Sequence, residues 1–225
     1  MQSFHYFPLA WPFLLVLIFL VAVLILVVEL KVLAYAYEKI GVGSRYVLTL
    51  LVFSLIGSYI NIPVARLPEK EAVHEQELTF FGVRWVVPVI SEYQPTLVAV
   101  NLGGAVIPAA LSMYLILRNR LFFSSLIGVA AVTAIVHSLA YPVKGVGIAT
   151  PVIVPPLAAA LVAFVLSRRY IPALAYISGT LGTLIGADLL NLDKVQGLGA
   201  PIVSIGGAGT FDGVFLTGIL AVLLT

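Results

Sequence analysis

The stretch from Pro8 to Val28, PLAWPFLLVLIFLVAVLILVV, carries no charge, no hydroxyl and no amide side chain. A helix needs about 20 such residues to cross a bilayer, and this run is long enough. The residues before it, Met1 to Phe7, lack the basic segment of a cleavable signal peptide, so the run is expected to be retained as a first span. It continues as a helix past Glu29 and Lys31 toward Tyr37. Six further apolar runs follow, at about 46–65, 95–117, 121–141, 151–167, 170–192 and 201–225.

The composition agrees. Of the 225 residues, 61% are hydrophobic and 10% charged. A soluble domain carries about 25% charged residues, so this chain cannot cover itself with a water-facing surface. The mean hydropathy is +1.13. The formal charge of +2 leaves no basic surface for a nucleic acid, and the bilayer itself is the expected partner. With no cysteine, disulfides and thiolate chemistry are excluded. The expectation is one membrane domain over 1–225, an all-α bundle of seven transmembrane helices.

Positive charge orients that bundle. Lys39 and Arg45, Arg118 and Arg120, and Arg168 and Arg169 occupy alternate short loops nearly free of acid. The opposite loops hold Lys144, the pair Asp193-Lys194 and the acidic segment 66–94. The N-terminus is therefore expected outside and the C-terminus inside. Within 66–94, Leu78 to Val87 (LTFFGVRWVV) reads as a short extracytoplasmic β-hairpin turning at Gly82. Trp85 then sits at headgroup depth, or the hairpin closes a membrane cavity as a lid. A weaker echo links Ile107-Pro108-Ala109-Ala110-Leu111 with Val154-Pro155-Pro156-Leu157-Ala158-Ala159. A parallel repeat of the kind transporters use would explain it, and so would chance in so restricted an alphabet.

Charges inside a span cost about 2.5–3.5 kcal/mol on insertion scales, so they normally face a cavity or a partner. Asp188, in GADLLNL (186–192), and Asp212, in GGAGTFDG (206–213), lie in consecutive spans. Two facing carboxylates that share a proton can activate water and protonate a leaving amine. Straight helices work against this. Asp188 lies about 28 Å along a helix from Arg169, whereas Asp212 lies about 20 Å from the C-terminus, which leaves it deeper. A broken or re-entrant glycine-rich segment before the last helix would close the gap. Asn191, Asn101 and His137 fall toward the same outer side, and Gly207, Gly209 and Thr210 flank Asp212. Together they suggest a polar vestibule that binds substrate or ion. Structural roles are open to all of them, as caps and amide partners. There is no His-x-x-His pair, and Gly206–Gly213 lacks the Lys-Ser/Thr ending of a phosphate loop, so neither metal nor cofactor is expected.

The tail, GADLLNL with IGGAGTFDGVFLTG (205–218), resembles an uncharacterised family of prokaryotic multi-pass membrane proteins, DUF1614. That resemblance implies the cytoplasmic membrane of an archaeon or bacterium and implies no activity. The paired aspartates also resemble, loosely, those of presenilin-type intramembrane aspartyl proteases. Here Gly209 stands three residues before Asp212, where those proteases have Gly-x-Gly-Asp, and Pro172-Ala173-Leu174 precedes both aspartates instead of following them. Three functions remain open, the first leading and the second the alternative to it. One is an intramembrane hydrolase with Asp188 and Asp212 as catalytic dyad and a transmembrane peptide as substrate. Another is a proton- or cation-coupled transporter of a small ion or solute using the same carboxylates. The last is a structural subunit, with a second copy of the chain among its candidate partners.

Overall fold

The structure, a computed structural model, describes residues 11–68, 70–80, 83–93, 96–143, 147–195, 200–207 and 213–225; between 69 and 95 only the main chain is described. The described residues form seven α-helices: α1 (Trp11–Lys39), α2 (Ser44–Gly57), α3 (Ile107–Asn119), α4 (Phe122–Leu139), α5 (Val154–Leu166), α6 (Ile171–Thr183) and α7 (Gly213–Leu223). Four helical stretches are long and apolar enough to cross a membrane: Trp11–Lys39, Leu102–Asn119, Phe122–Leu139 and Ile171–Lys194. The remaining three helices are apolar but shorter. Side chains such as Phe19, Leu24, Phe123 and Val165 are 63–86% exposed on these helices. A belt of that kind is stable only against lipid, and the chain is an integral membrane protein.

Helix α6 is the axis of the bundle. Leu174, Ala175, Ile177, Ser178 and Thr180 on it are fully buried, and α3, α4, α5 and α7 pack around it. Small residues allow the close approach, as membrane helices require. A Cβ at Gly182 would lie 2.7 Å from the Val132 side chain. Helix α1 joins the body through its last turns, where Ala36, Tyr37 and Ile40 are buried and the Tyr37 ring lies 6.4 Å from that of Tyr176. The basic connections gather at one end. Arg118 Nη1 donates to the Gly41 carbonyl, Lys39 Nζ reaches the Val222 carbonyl, and Tyr170 packs on the cluster holding Ile40, Val42 and Leu121.

The all-α expectation fails at the other end of the bundle. There the chain leaves helix three times to form a three-stranded sheet. Strand β1 (Asn61–Leu67) follows α2, β4 (Thr96–Asn101) precedes α3, and β7 (Ile202–Ile205) precedes α7. Strand β4 is central, antiparallel to β1 and parallel to β7. Strand β4 lies inside a run expected to be a continuous span, β1 begins at the end of another, and β7 falls where a broken or re-entrant segment is expected. The cause is local. Gly57 and Ser58 end α2, and Pro63, lacking an N–H, suits the edge strand β1, where the register shifts beside it. Between β1 and β4, strands β2 (Lys70–Phe80) and β3 (Val83–Tyr93) pair from Lys70↔Tyr93 to Phe80↔Val83. This hairpin is longer than the ten-residue core expected; the expected turn residue Gly82 and the Trp85 side chain lie outside the described residues. A smaller pair, β5 (Tyr141–Val143) with β6 (Gly147–Ala149), joins α4 to α5.

Helix re-forms after β4 through a π-helical turn, Leu102–Val106. Gly103 and Gly104 make this possible. A Cβ at Gly103 would run into the Ser54 carbonyl and the Ser58 amide at the end of α2, and one at Gly104 into the Gly206 carbonyl. After β7, Gly206 and Gly207 take positive φ of +82° and +84°. The two joints share a sequence: Val100-Asn101-Leu102-Gly103-Gly104-Ala105 and Val203-Ser204-Ile205-Gly206-Gly207-Ala208. This repeat of strand, glycine pair and helix differs from the echo read at Pro108 and Pro155-Pro156, where the prolines open α3 and α5.

Substituting Gly206→Ala should cost about 1–2 kcal/mol in the left-handed backbone. A further cost of about 1–3 kcal/mol should follow from a Cβ placed 2.5 Å from that of Ala105. Gly147→Ala also has a positive φ, +125°, but meets nothing within 4 Å. Thermal unfolding in detergent should therefore show a clearly larger loss for Gly206→Ala. Equal losses would contradict the packing described.

Candidate functional site

Asn101 holds the first joint. It is fully buried. Its Oδ1 accepts from Gly104 N at 2.7 Å, which caps the π-helical turn, and its Nδ2 donates to the Ser58 carbonyl at 2.7 Å and to Asn61 Oδ1 at 3.1 Å. Asn61 Oδ1 also accepts from Ser204 Oγ at 2.6 Å. One amide oxygen thus ties β1, β4 and β7 together. Asn101 serves the main chain here, and it is occupied as a joint before any ligand is considered.

Asp188 holds the second joint. After α6 the chain continues through a π-helical turn, Leu184–Asp188, and a 3-10 segment, Leu189–Lys194. The Asp188 carboxylate Oδ2 accepts from Gly206 N at 2.7 Å. The span carrying Asp188 and the segment before α7 are therefore in direct contact. Asn191, also fully buried, secures the irregular helix from below. Its Nδ2 donates to the Gly186 and Ala187 carbonyls at 2.8 and 2.9 Å and lies 3.2 Å from His137 Nδ1 on α4. Its Oδ1 accepts from Lys194 Nζ at 2.7 Å. Two carbonyls on one side and an ammonium on the other fix the amide's orientation.

A cavity of about 220 Å³ opens beside Asp188. Thr183 from α6, Thr150, Ser204 and Gly207 line it, with Gly213 at the start of α7. Thr183 is 2% exposed, and its hydroxyl has no hydrogen-bond partner among the described residues. A buried polar group without a partner marks a place where water or a ligand can bond. The wall thus offers one carboxylate, three hydroxyl side chains and a strand-to-helix joint.

Of the residues singled out from the sequence, Asp188 and Gly207 share this cavity. Asn191 and His137 form their own cluster one turn away, and Asn101 sits at the sheet. Asp212, Gly209 and Thr210 lie outside the described residues, although Gly213, next to Asp212 in the chain, lines the cavity. Reading the sequence missed Thr183, Ser204 and Thr150, which are ordinary hydroxyl residues in apolar runs. The repeated Val-(Asn/Ser)-(Leu/Ile)-Gly-Gly-Ala pattern could have pointed to Ser204.

A family model described as a protein of unknown function, DUF1614, matches residues 55–224. The chain belongs to that family. The match takes in both glycine joints and the cavity but not α1. Neither a curated protein nor a solved structure matches the chain. The likeness of this DUF1614 member to intramembrane aspartyl proteases therefore rests on its paired aspartates alone.

Asn191→Leu should leave the Gly186 and Ala187 carbonyls unpaired, at about 1–3 kcal/mol for each buried group. Ser138→Ala removes an exposed hydroxyl bonded only to the Ile135 carbonyl and should stay within about 0.5 kcal/mol of wild type. Thermal unfolding of both variants in detergent compares them. A stable Asn191→Leu protein would mean that this amide does not hold the irregular segment.

Proposed function

We propose that this DUF1614 protein is a proton- or cation-coupled transporter of a small solute, with Asp188 as the coupling carboxylate. The cavity carries the reading. A carboxylate and an unpartnered hydroxyl, Thr183, face one small space at a joint where the main chain leaves helix. Secondary transporters bind their coupling ions at such interrupted helices, where side-chain oxygens and unwound main chain supply ligands together. A hydrolase would need Asp212, which lies outside the described residues, as the second carboxylate with water between the two.

The membrane arrangement belongs to the same proposal. Seven spans, an outer N-terminus and an inner C-terminus put the basic connections at 39–45, 118–120 and 168–169 in the cytoplasm. Open sheet edges are not tolerated in hydrocarbon, so β1, β4 and β7 belong at the outer headgroup level, with β2 and β3 beyond them. Asp188, about 25 Å along the helix from Ile171, then faces an outward vestibule. The membrane is the cytoplasmic one of a prokaryote, as the family resemblance implies.

Asp188→Asn is the informative substitution. The amide oxygen can still accept from Gly206 N, so the fold should survive while the charge is lost. In liposomes loaded with pH- and cation-sensitive dyes, wild type should dissipate an imposed gradient and Asp188→Asn should be at least tenfold slower. Cleavage of a transmembrane peptide without gradient-driven flux would replace this reading with the hydrolase. The topology has its own test in this cysteine-free chain. Glu75→Cys should react with an impermeant thiol reagent on intact cells and Asn119→Cys should not; the reverse pattern would overturn it.

A further inference from the structure

A second, larger cavity of about 960 Å³ lies between α2 and α3 and runs from Gly41 and Arg45, at the end opposite the sheet, to Leu102 at the first joint. Its walls are apolar and aromatic, with Phe53, Leu111 and Tyr46 among them, and Arg45 and Arg118 also line it. No acidic residue lines this groove, and neither α2 nor α3 contains one. Both arginines are already held in place. Arg118 Nη1 donates to the Gly41 carbonyl at 2.7 Å and to Tyr114 Oη at 3.2 Å, and its guanidinium lies 5.7 Å from the Tyr114 ring centre. The Arg45 guanidinium lies 4.8 Å from the Tyr46 ring centre. Their remaining N–H groups have no acceptor among the described residues.

We propose that this groove binds one anionic phospholipid. Its phosphodiester bonds to Arg45 and Arg118, and an acyl chain lies along α2 and α3 past Phe53 and Leu111. The reasoning is charge complementarity at one end of an apolar slot. A planar guanidinium forms paired hydrogen bonds to phosphate oxygens, and preorientation by a neighbouring ring lowers the ordering cost. A neutral lipid fills the slot equally well but leaves both cations without an acceptor. The basic connections at this end also face the leaflet where anionic headgroups attract them. This proposal rests on the membrane orientation proposed above but not on the transport role of Asp188, because it concerns other residues.

Native mass spectrometry tests it on the full chain in mild detergent, with phosphatidylglycerol and phosphatidylcholine added in turn. Wild type should retain one phosphatidylglycerol with at least a tenfold preference. The double variant Arg45→Gln/Arg118→Gln should lose that preference. Arg168→Gln/Arg169→Gln, which alters another basic connection, should keep it. Ala110→Trp, which fills the groove and leaves both arginines, should lower retention of either lipid and guards against misreading a misfolded arginine variant. Equal retention of the two lipids by wild type would overturn the proposal. So would a loss of preference in the 168/169 variant as large as in the 45/118 variant. A dimer abolished by Ala110→Trp and unaffected by phosphatidylglycerol would also overturn it, by assigning the groove to a second copy.

Discussion

A main chain inside an apolar body must find hydrogen bonds within the protein, because lipid offers none. Helices satisfy this rule by themselves. Wherever this chain departs from helix, the departure is met by another departure close by. Strand β4 bonds to β1 and β7, and the joints that follow β4 and β7 come close because Gly104 and Gly206 leave no Cβ between them. Two open groups at the joints are taken by side chains, Asn101 at Gly104 N and Asp188 at Gly206 N. Without these bonds the sheet would expose unpaired amides, and α2 and α7 could not meet the π-helical turn before α3 as they do.

The same arrangement creates the cavity. A continuous helix through 201–225 would have packed against α6 along its length and left no space. The strand-to-helix joint moves the chain aside, and Asp188, Thr183 and Ser204 line what opens. Asp188 thus combines two tasks, holding the joint through Gly206 and presenting a carboxylate to a small polar space.

Much of the architecture was legible in the residues. Apolar runs located every helix, and the alternating arginines located the connections that gather at one end. The glycine-rich stretch before α7 signalled a broken span. The sheet was not legible, because Ile, Val, Leu and Ala satisfy a membrane helix and a buried strand equally well. Strand β4, TLVAVN, has no local feature against helix. What selects strand is the partner, and β7 lies a hundred residues away. Asp188 stood out because a charge in a span is costly. Thr183 did not, since a threonine in a membrane helix usually bonds its own preceding turn and only the structure shows that this one does not.

The claim on which the account depends is that the Asp188 carboxylate holds the joint at Gly206. Amide hydrogen exchange on the chain in lipid nanodiscs measures this directly, peptide by peptide. The account predicts slow exchange across 202–206 in wild type and in Asp188→Asn, which keeps the acceptor oxygen, and faster exchange over that segment in Asp188→Ala. Exchange that is rapid in wild type, or identical in the Ala and Asn variants, would contradict it.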